Sequence, residues 1–232
     1  MNGTRLFSEW IGESLRITRG QIIYPGGRRR VILQQPDLRA RGLSSDWDWM
    51  ELRQLKGQDF YAVEKLRRGE AAWLAPWESG APPGMTRPIT MEQYVAAMSK
   101  SAREGLGMCF AILPEGRLAG QVSISSVQRA ASQIAAVGYW VSSRFAGHGL
   151  APLAVATVLD WCFAEYGLHR IEINIRPENQ PSLRVVEKLG LREEGLRERF
   201  LYINGAWSDH RAFAVTLEEW EPDYFVSQLL PK

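Results

Sequence analysis

Two glycines, Gly147 and Gly149, stand where an apolar strand-like run at 135–141 hands the chain to an apolar helical run that ends near Tyr166 and Gly167. Such a loop leaves the first N–H groups of the helix unpaired and turns the positive end of its dipole outward, which is the chemistry of an anion cradle. Glycine lets the backbone approach phosphate oxygens closely, and each charge-assisted N–H contact is worth about 1.5–3 kcal/mol. By itself the pair also fits an ordinary helix-entry turn. Two nucleotide loops are excluded: no Gly-Lys-Ser/Thr closes the stretch, and no G-x-G-x-x-G is followed by a ribose-binding acid at the required distance.

Other chemistries find less support. Cys109 and Cys162 lie in apolar runs, as buried thiols of a reducing compartment do, and no disulfide is expected. His148, His169 and His210 are far from one another and from both cysteines, so no zinc-ligand spacing passes through them and no metal is expected. The chain has 232 residues, 45% hydrophobic and 23% charged, which suits a packed globular protein, and its formal charge of +2 is too small to argue for direct nucleic-acid binding. Arg28, Arg29 and Arg30 form the one basic run and read as a solvated turn. Residues 1–16 carry spaced charges and fit neither a secretory signal nor a membrane anchor, so a cytoplasmic protein without membrane contact is expected.

The elements that must position the loop follow from periodicity. Residues 1–30 read as an arm or an extra strand, with Ile22, Ile23 and Tyr24 before a Pro-Gly-Gly turn. Helical spacing is assigned to 46–55, through Trp47, Met50, Leu52 and Leu55, and to 59–68. A long loop at 76–84, rich in proline and glycine, is placed near a ligand, and Thr90 caps a helix reaching about Glu104. A hairpin at 108–127 turns at 114–117, and a third strand covers 135–141. After the glycine loop and its helix, Ile171, Ile173 and Ile175 alternate in a strand at 169–176 that closes a βαβ unit. A helix at 182–189 and strands at 199–203 and 212–217, joined around Asn204-Gly205, complete the pattern.

Three segments carry a family resemblance. Arg144-Phe145-Ala146-Gly147-His148-Gly149 resembles the Gln/Arg-x-x-Gly-x-Gly/Ala pyrophosphate loop of the GNAT acetyltransferase superfamily. Residues 176–191, with Asn179, Ser182, Val185 and Glu187-Lys188-Leu189-Gly190, are similar to the N-x-x-S-x-x-V-x-E-K-L-G-F segment of its Rim-type branch, which acetylates N-terminal amines of ribosomal proteins. Residues 204–210 are similar to that branch's G-x-W-x-D-H hairpin. Together they cover roughly the last half of the chain. The resemblance implies an α/β (α+β) fold: a twisted, mixed, mostly antiparallel sheet split into a V and flanked by helices on both faces. It places a single domain at 31–220 and a tail at 221–232, with acetyl-CoA as donor. It also implies that the backbone from Arg144 through Phe145, Ala146, Gly147, His148, Gly149 and Leu150 to Ala151 holds the pyrophosphate. The strand edge at Trp140 and Val141 would pair with the pantetheine amides, and Asn179 and Ser182 would reach the thioester end.

Direct acyl transfer needs a neutral amine, a proton acceptor, a donor to the thioester oxygen and a partner for the departing thiolate. Some family members carry a glutamate where this sequence has Asn174 and a tyrosine where it has Val186. Glu172, two residues before Asn174 on the same strand face, is therefore the leading base, with an ion pair to Arg170 as its structural alternative. Ser182 is expected to steady the thiolate, with a helix cap as its alternative. Asp209 and His210 line the amine site or fix the hairpin. An α-amine near pKa 8 loses its proton far more readily than lysine near 10.4, which favours a protein N-terminus as acceptor. Trp73, Trp77 and Trp207 are then expected at its mouth. A small amine such as a polyamine, antibiotic or amino acid is the alternative substrate, a noncatalytic CoA-binding module the alternative class, and monomer and homodimer both stay open.

Overall fold

The computed structural model describes residues 30–85 and 89–231, with the backbone of Thr18–Arg19; the remainder of the expected arm lies outside the described residues. Nine strands form one sheet: β1 (Thr18–Arg19), β2 (Ile32–Gln35), β3 (Met50–Gln54), β4 (Met108–Pro114), β5 (Gly120–Gln128), β6 (Ile134–Val141), β7 (Arg170–Ile175), β8 (Arg192–Ile203) and β9 (Ala206–Thr216). Their order is β1-β2-β3-β4-β5-β6-β7-β9-β8, antiparallel everywhere except between β6 and β7. The helices are α1 (Asp59–Gly69), α2 (Ala71–Leu74), α3 (Met91–Arg103), α4 (Leu150–Trp161), α5 (Gln180–Lys188) and α6 (Tyr224–Ser227).

Alternation along β4 and β5 divides the core. Phe110, Ile112, Val122 and Ile124 join the large cluster with the apolar α4, whereas Ala111 and Leu113 join a smaller one with Phe60 and Val63 of α1 and Tyr94 and Val95 of α3. Helices thus cover both faces, and α4 is the crossover that parallel β6 and β7 require. These two strands pair only from Ile134–Arg170 to Ala136–Glu172. Beyond Ala136 the twist carries them apart, and the gap is the V in which a ligand can lie.

Residues 46–55 do not form a helix. Met50, Leu52 and Gln54 are buried alternately in β3, between β2 and β4, because two neighbouring strands outweigh an ambiguous apolar spacing. Thr90 does cap α3, through a reciprocal box with Gln93. Within the C-terminal tail Phe225 and Val226 are buried, and α6 packs on α4.

Candidate active site

The glycine loop begins where β6 ends. Gly147 (φ 84°) and Gly149 (φ 74°) both occupy the left-handed region, where a side chain is strained. Gly149 precedes α4 as its N-cap, so the N–H groups of Leu150 and Ala151 belong to the unpaired first turn, and Pro152 has none to offer. Among the described residues no backbone carbonyl takes the N–H of Gly147, His148 or Gly149 either. Of these residues Gly147, Gly149, Leu150 and Ala151 line a cavity of about 580 Å³, together with Trp140, Val141, Phe145, Ala146, Asn179 and Ser182. Arg184 and Lys188, one turn apart on α5, add positive charge to its wall. Unpaired donors beside two cations suit a pyrophosphate.

The expected loop residues do not all face this cavity. Arg144 is exposed and outside its wall, and the His148 ring turns away, with Nδ1 2.9 Å from an Asp46 carboxylate oxygen. The other side of the loop is buttressed: Phe145 packs on Trp47 at 5.7 Å, and the Arg117 guanidinium lies over both rings. Glu70 fixes the loop's start, accepting from the Ser142 hydroxyl at 2.6 Å and the Ser143 N–H at 3.1 Å. The Ser142 bond holds the Glu70 carboxyl below its ordinary pKa.

Along the open edge of β6 the register decides which peptide groups are free. Ser142 N–H donates to Ala119 at 2.8 Å, so Val141 and Gly120 form a non-hydrogen-bonded pair and the peptide groups of Val141 point into the gap. Tyr139 does the same two residues earlier, whereas Trp140 turns its peptide groups toward β5 and gives only its side chain to the cavity. The Trp73 indole donates to the Val141 carbonyl at 3.0 Å.

A second cavity, about 500 Å³, meets the first at Leu74, Trp77, Tyr139, Trp140, Asn179 and Ser182. Its far wall holds Ser123, Ser125, Asn174, Arg176, Phe200 and His210. Residues 70–80 strap the V: after Glu70 grips the start of the glycine loop and Trp73 the end of β6, the Pro76 carbonyl accepts from Arg176 at 2.8 Å and Gly80 N–H donates to Tyr202 at 2.9 Å. The loop expected near a ligand is the end of this strap. Trp207, by contrast, packs on Tyr202 and lines neither cavity.

Glu172 and Asn174 share a face of β7 but differ in environment. Glu172 is held by Arg170 at 2.8 Å and by Arg197 at 2.7 Å and lines neither cavity; to act as a base it would have to leave two guanidiniums. Asn174 lines the second cavity, and its Oδ1 is buried with no hydrogen-bond partner among the described residues. Asn179, not Ser182, caps α5: its Oδ1 accepts the Ser182 N–H at 3.2 Å. Val186 is buried in the core.

One loop for a pyrophosphate, one open strand edge for an amide-bearing arm and a second cavity at their junction make a two-substrate site. Residues 50–192 match the acetyltransferase (GNAT) domain family. The chain belongs to that family. A probable N-acetyltransferase of Bacillus subtilis, YjcK, is 36% identical over 132 residues, 57% of this chain and 71% of its own length. The ribosomal protein uS5-alanine N-acetyltransferase of Escherichia coli is 24% identical over 177 residues, 75% of this chain and 91% of its own. Among solved structures, Mycobacterium smegmatis RimJ in complex with CoA-disulfide superposes with a TM-score of 0.70 at 36% identity, covering 78% of this chain and 88% of that one. The acetyltransferase thus takes acetyl-CoA as its donor, and the unpaired N–H groups of the loop suit that substrate, as do the peptide groups that β6 turns toward the gap at Tyr139 and Val141.

In this acetyltransferase Ser182 lines both cavities where they meet, and Tyr139 steadies the turn by donating to the Ser182 carbonyl at 3.2 Å. We propose that the Ser182 hydroxyl holds the departing thiolate, and a hydrogen bond to such a charge contributes about 1.5–3 kcal/mol. Ser182→Ala should therefore lower kcat roughly tenfold or more, by the same bond, and leave acetyl-CoA affinity by calorimetry nearly unchanged. A parallel fall in both would make Ser182 a cofactor-positioning residue.

Proposed function

We propose that the protein transfers acetyl from acetyl-CoA to the N-terminal α-amine of a protein, such as a ribosomal protein, in a bacterial cytoplasm. The observation that carries this reading is the poverty of acids in the second cavity. Among its described lining residues the one carboxylate is Glu78, and Arg67 neutralises it. A polyamine would need several facing carboxylates. A peptide end needs one deprotonated amine beside the thioester and hydrogen-bonding groups for its backbone, which Ser123, Ser125 and Asn174 can offer. At pH 7 roughly a tenth of an α-amine is already neutral, against well under a thousandth of a lysine amine, so a site without a strong carboxylate base suits the former. The similarity to the uS5-alanine N-acetyltransferase, over most of both chains, points the same way.

Matched peptides test this by mass spectrometry, one with a free N-terminus and no lysine, the other blocked and carrying an internal lysine. The free peptide should be acetylated, with a rate that reaches its plateau near pH 8, and peptides starting with alanine or serine should react fastest. Acetylation of the blocked peptide alone would rule the reading out.

A further inference from the structure

One wall of the second cavity contains a histidine with no ion pair among the described residues. His210 of β9 is 3% exposed, and its Nδ1 lies 3.0 Å from the Ser208 carbonyl oxygen. A carbonyl only accepts, so Nδ1 carries the hydrogen and Nε2 is the basic atom of the ring. Burial lowers the ring's pKa, opposed by the Ser208 bond; Arg176 acts with burial, while Asp209 and Glu178 act against it. Arg197 stands opposite in register on β8 and is bound to Glu172. The ring therefore holds a second proton less tightly than an ordinary imidazole.

Asn174 pairs in register with Ala212, two residues from His210, so both side chains rise from one face of the sheet, roughly 7 Å apart at Cβ. Both line the same cavity. The Asn174 Oδ1 is a buried acceptor with no donor among the described residues, which leaves it for a ligand in this cavity to satisfy. Two acceptors on one wall are what a primary amine, with N–H groups only to give, would meet.

On the acyl-transfer reading above, and for whichever amine is the acceptor, we propose that His210 Nε2 removes the proton from the attacking nitrogen while Asn174 Oδ1 holds a second N–H. The nitrogen lone pair forms the N–C bond and the carbonyl π pair moves to oxygen. The nitrogen, cationic once bonded to carbon, passes its proton to Nε2. Collapse then breaks the C–S bond, the thiolate leaves with the electron pair, and the imidazolium proton goes to the thiolate or to water. A weak base suffices because the bonded nitrogen is far more acidic than a free ammonium.

His210→Gln should lower kcat/KM about 100-fold, the usual worth of a positioned base, leave acetyl-CoA affinity within about twofold by that assignment, and abolish the acid limb of the wild-type pH profile. A near wild-type rate, or a lowered rate with the acid limb intact, overturns the proposal. Should that variant not fold, nitrogen-15 NMR of histidine-labelled wild-type protein decides, with signals assigned by substituting His148 and His169. A neutral ring protonated on Nδ1 at pH 7 is expected; an Nε2–H tautomer or an imidazolium refutes the assignment. The NMR and calorimetry need no acceptor, so failure of every N-terminal peptide would reject the substrate reading without touching His210, whereas an accepted peptide turned over normally by His210→Gln would reject His210 alone.

Discussion

Gly147→Asp should lower acetyl-CoA affinity at least 100-fold while the fold persists. Nothing lies within 4 Å of a Cβ built on Gly147, so the side chain meets no clash. The cost has two other sources. The backbone at φ 84° strains any L residue, though aspartate tolerates that region better than most. The larger source is charge: a carboxylate about 4 Å from a pyrophosphate, at an effective dielectric near 20, is repelled by about 4 kcal/mol per unit charge. Gly147→Asn separates the two, since it keeps the backbone constraint without the charge, and should lose roughly tenfold, or about 1–1.5 kcal/mol. Calorimetric titration of both variants with acetyl-CoA checks the order. Equal losses would place the cost in backbone strain, and unchanged binding in the aspartate variant would move the pyrophosphate off this loop.

That loop was legible because its chemistry is local: left-handed glycines, unpaired N–H groups and a helix start occupy a few consecutive residues. The Asn204-Gly205 turn was legible for the same reason, both residues having positive φ. Its strands were not read at full length, because β8 is an exposed edge whose charged residues give no alternating apolar signal, and its pairing with β9 is backbone-driven. The strand β3 is not legible because Gln54, a polar residue at a buried position whose Oε1 takes the Val31 N–H at 3.1 Å, interrupts the period-two pattern and leaves Trp47, Met50, Leu52 and Leu55 to mimic a helix. The strap at 70–80 and the pairing of Glu172 with Arg197 depend on residues 25 or more positions apart, and no local spacing encodes them. His210 belongs to a legible sequence motif, but its tautomer and its place on the Asn174 wall exist only once β7, β8 and β9 are aligned.

Asp160→Ala should destabilise the fold by about 3–5 kcal/mol. Asp160 is fully buried on α4, the one buried acid among the described residues. Its Oδ1 accepts from the Trp220 indole at 2.8 Å and the Phe225 N–H at 3.2 Å, and its Oδ2 accepts from the Val226 N–H at 3.1 Å. Truncation strands these donors at once and loosens α6, whose Phe225 stacks on Phe163. Because native domains hold only about 5–15 kcal/mol in reserve, the loss should be plain in urea midpoints at unchanged m. Asp160→Asn keeps the Oδ1 acceptor but turns an NH2 toward Val226, and should cost about 1–3 kcal/mol. Burial pushes the Asp160 carboxyl up to about 7 from an ordinary 3.8, against the three donors. A carboxyl raised in the fold binds its proton more tightly there than in the unfolded chain, so its contribution is complete below pH 4 and declines as pH rises through 7. Between pH 5 and 8 the wild-type protein should therefore lose stability that Asp160→Asn does not. Parallel pH curves for the two proteins would instead mean that the three N–H donors keep the carboxylate charged in the core.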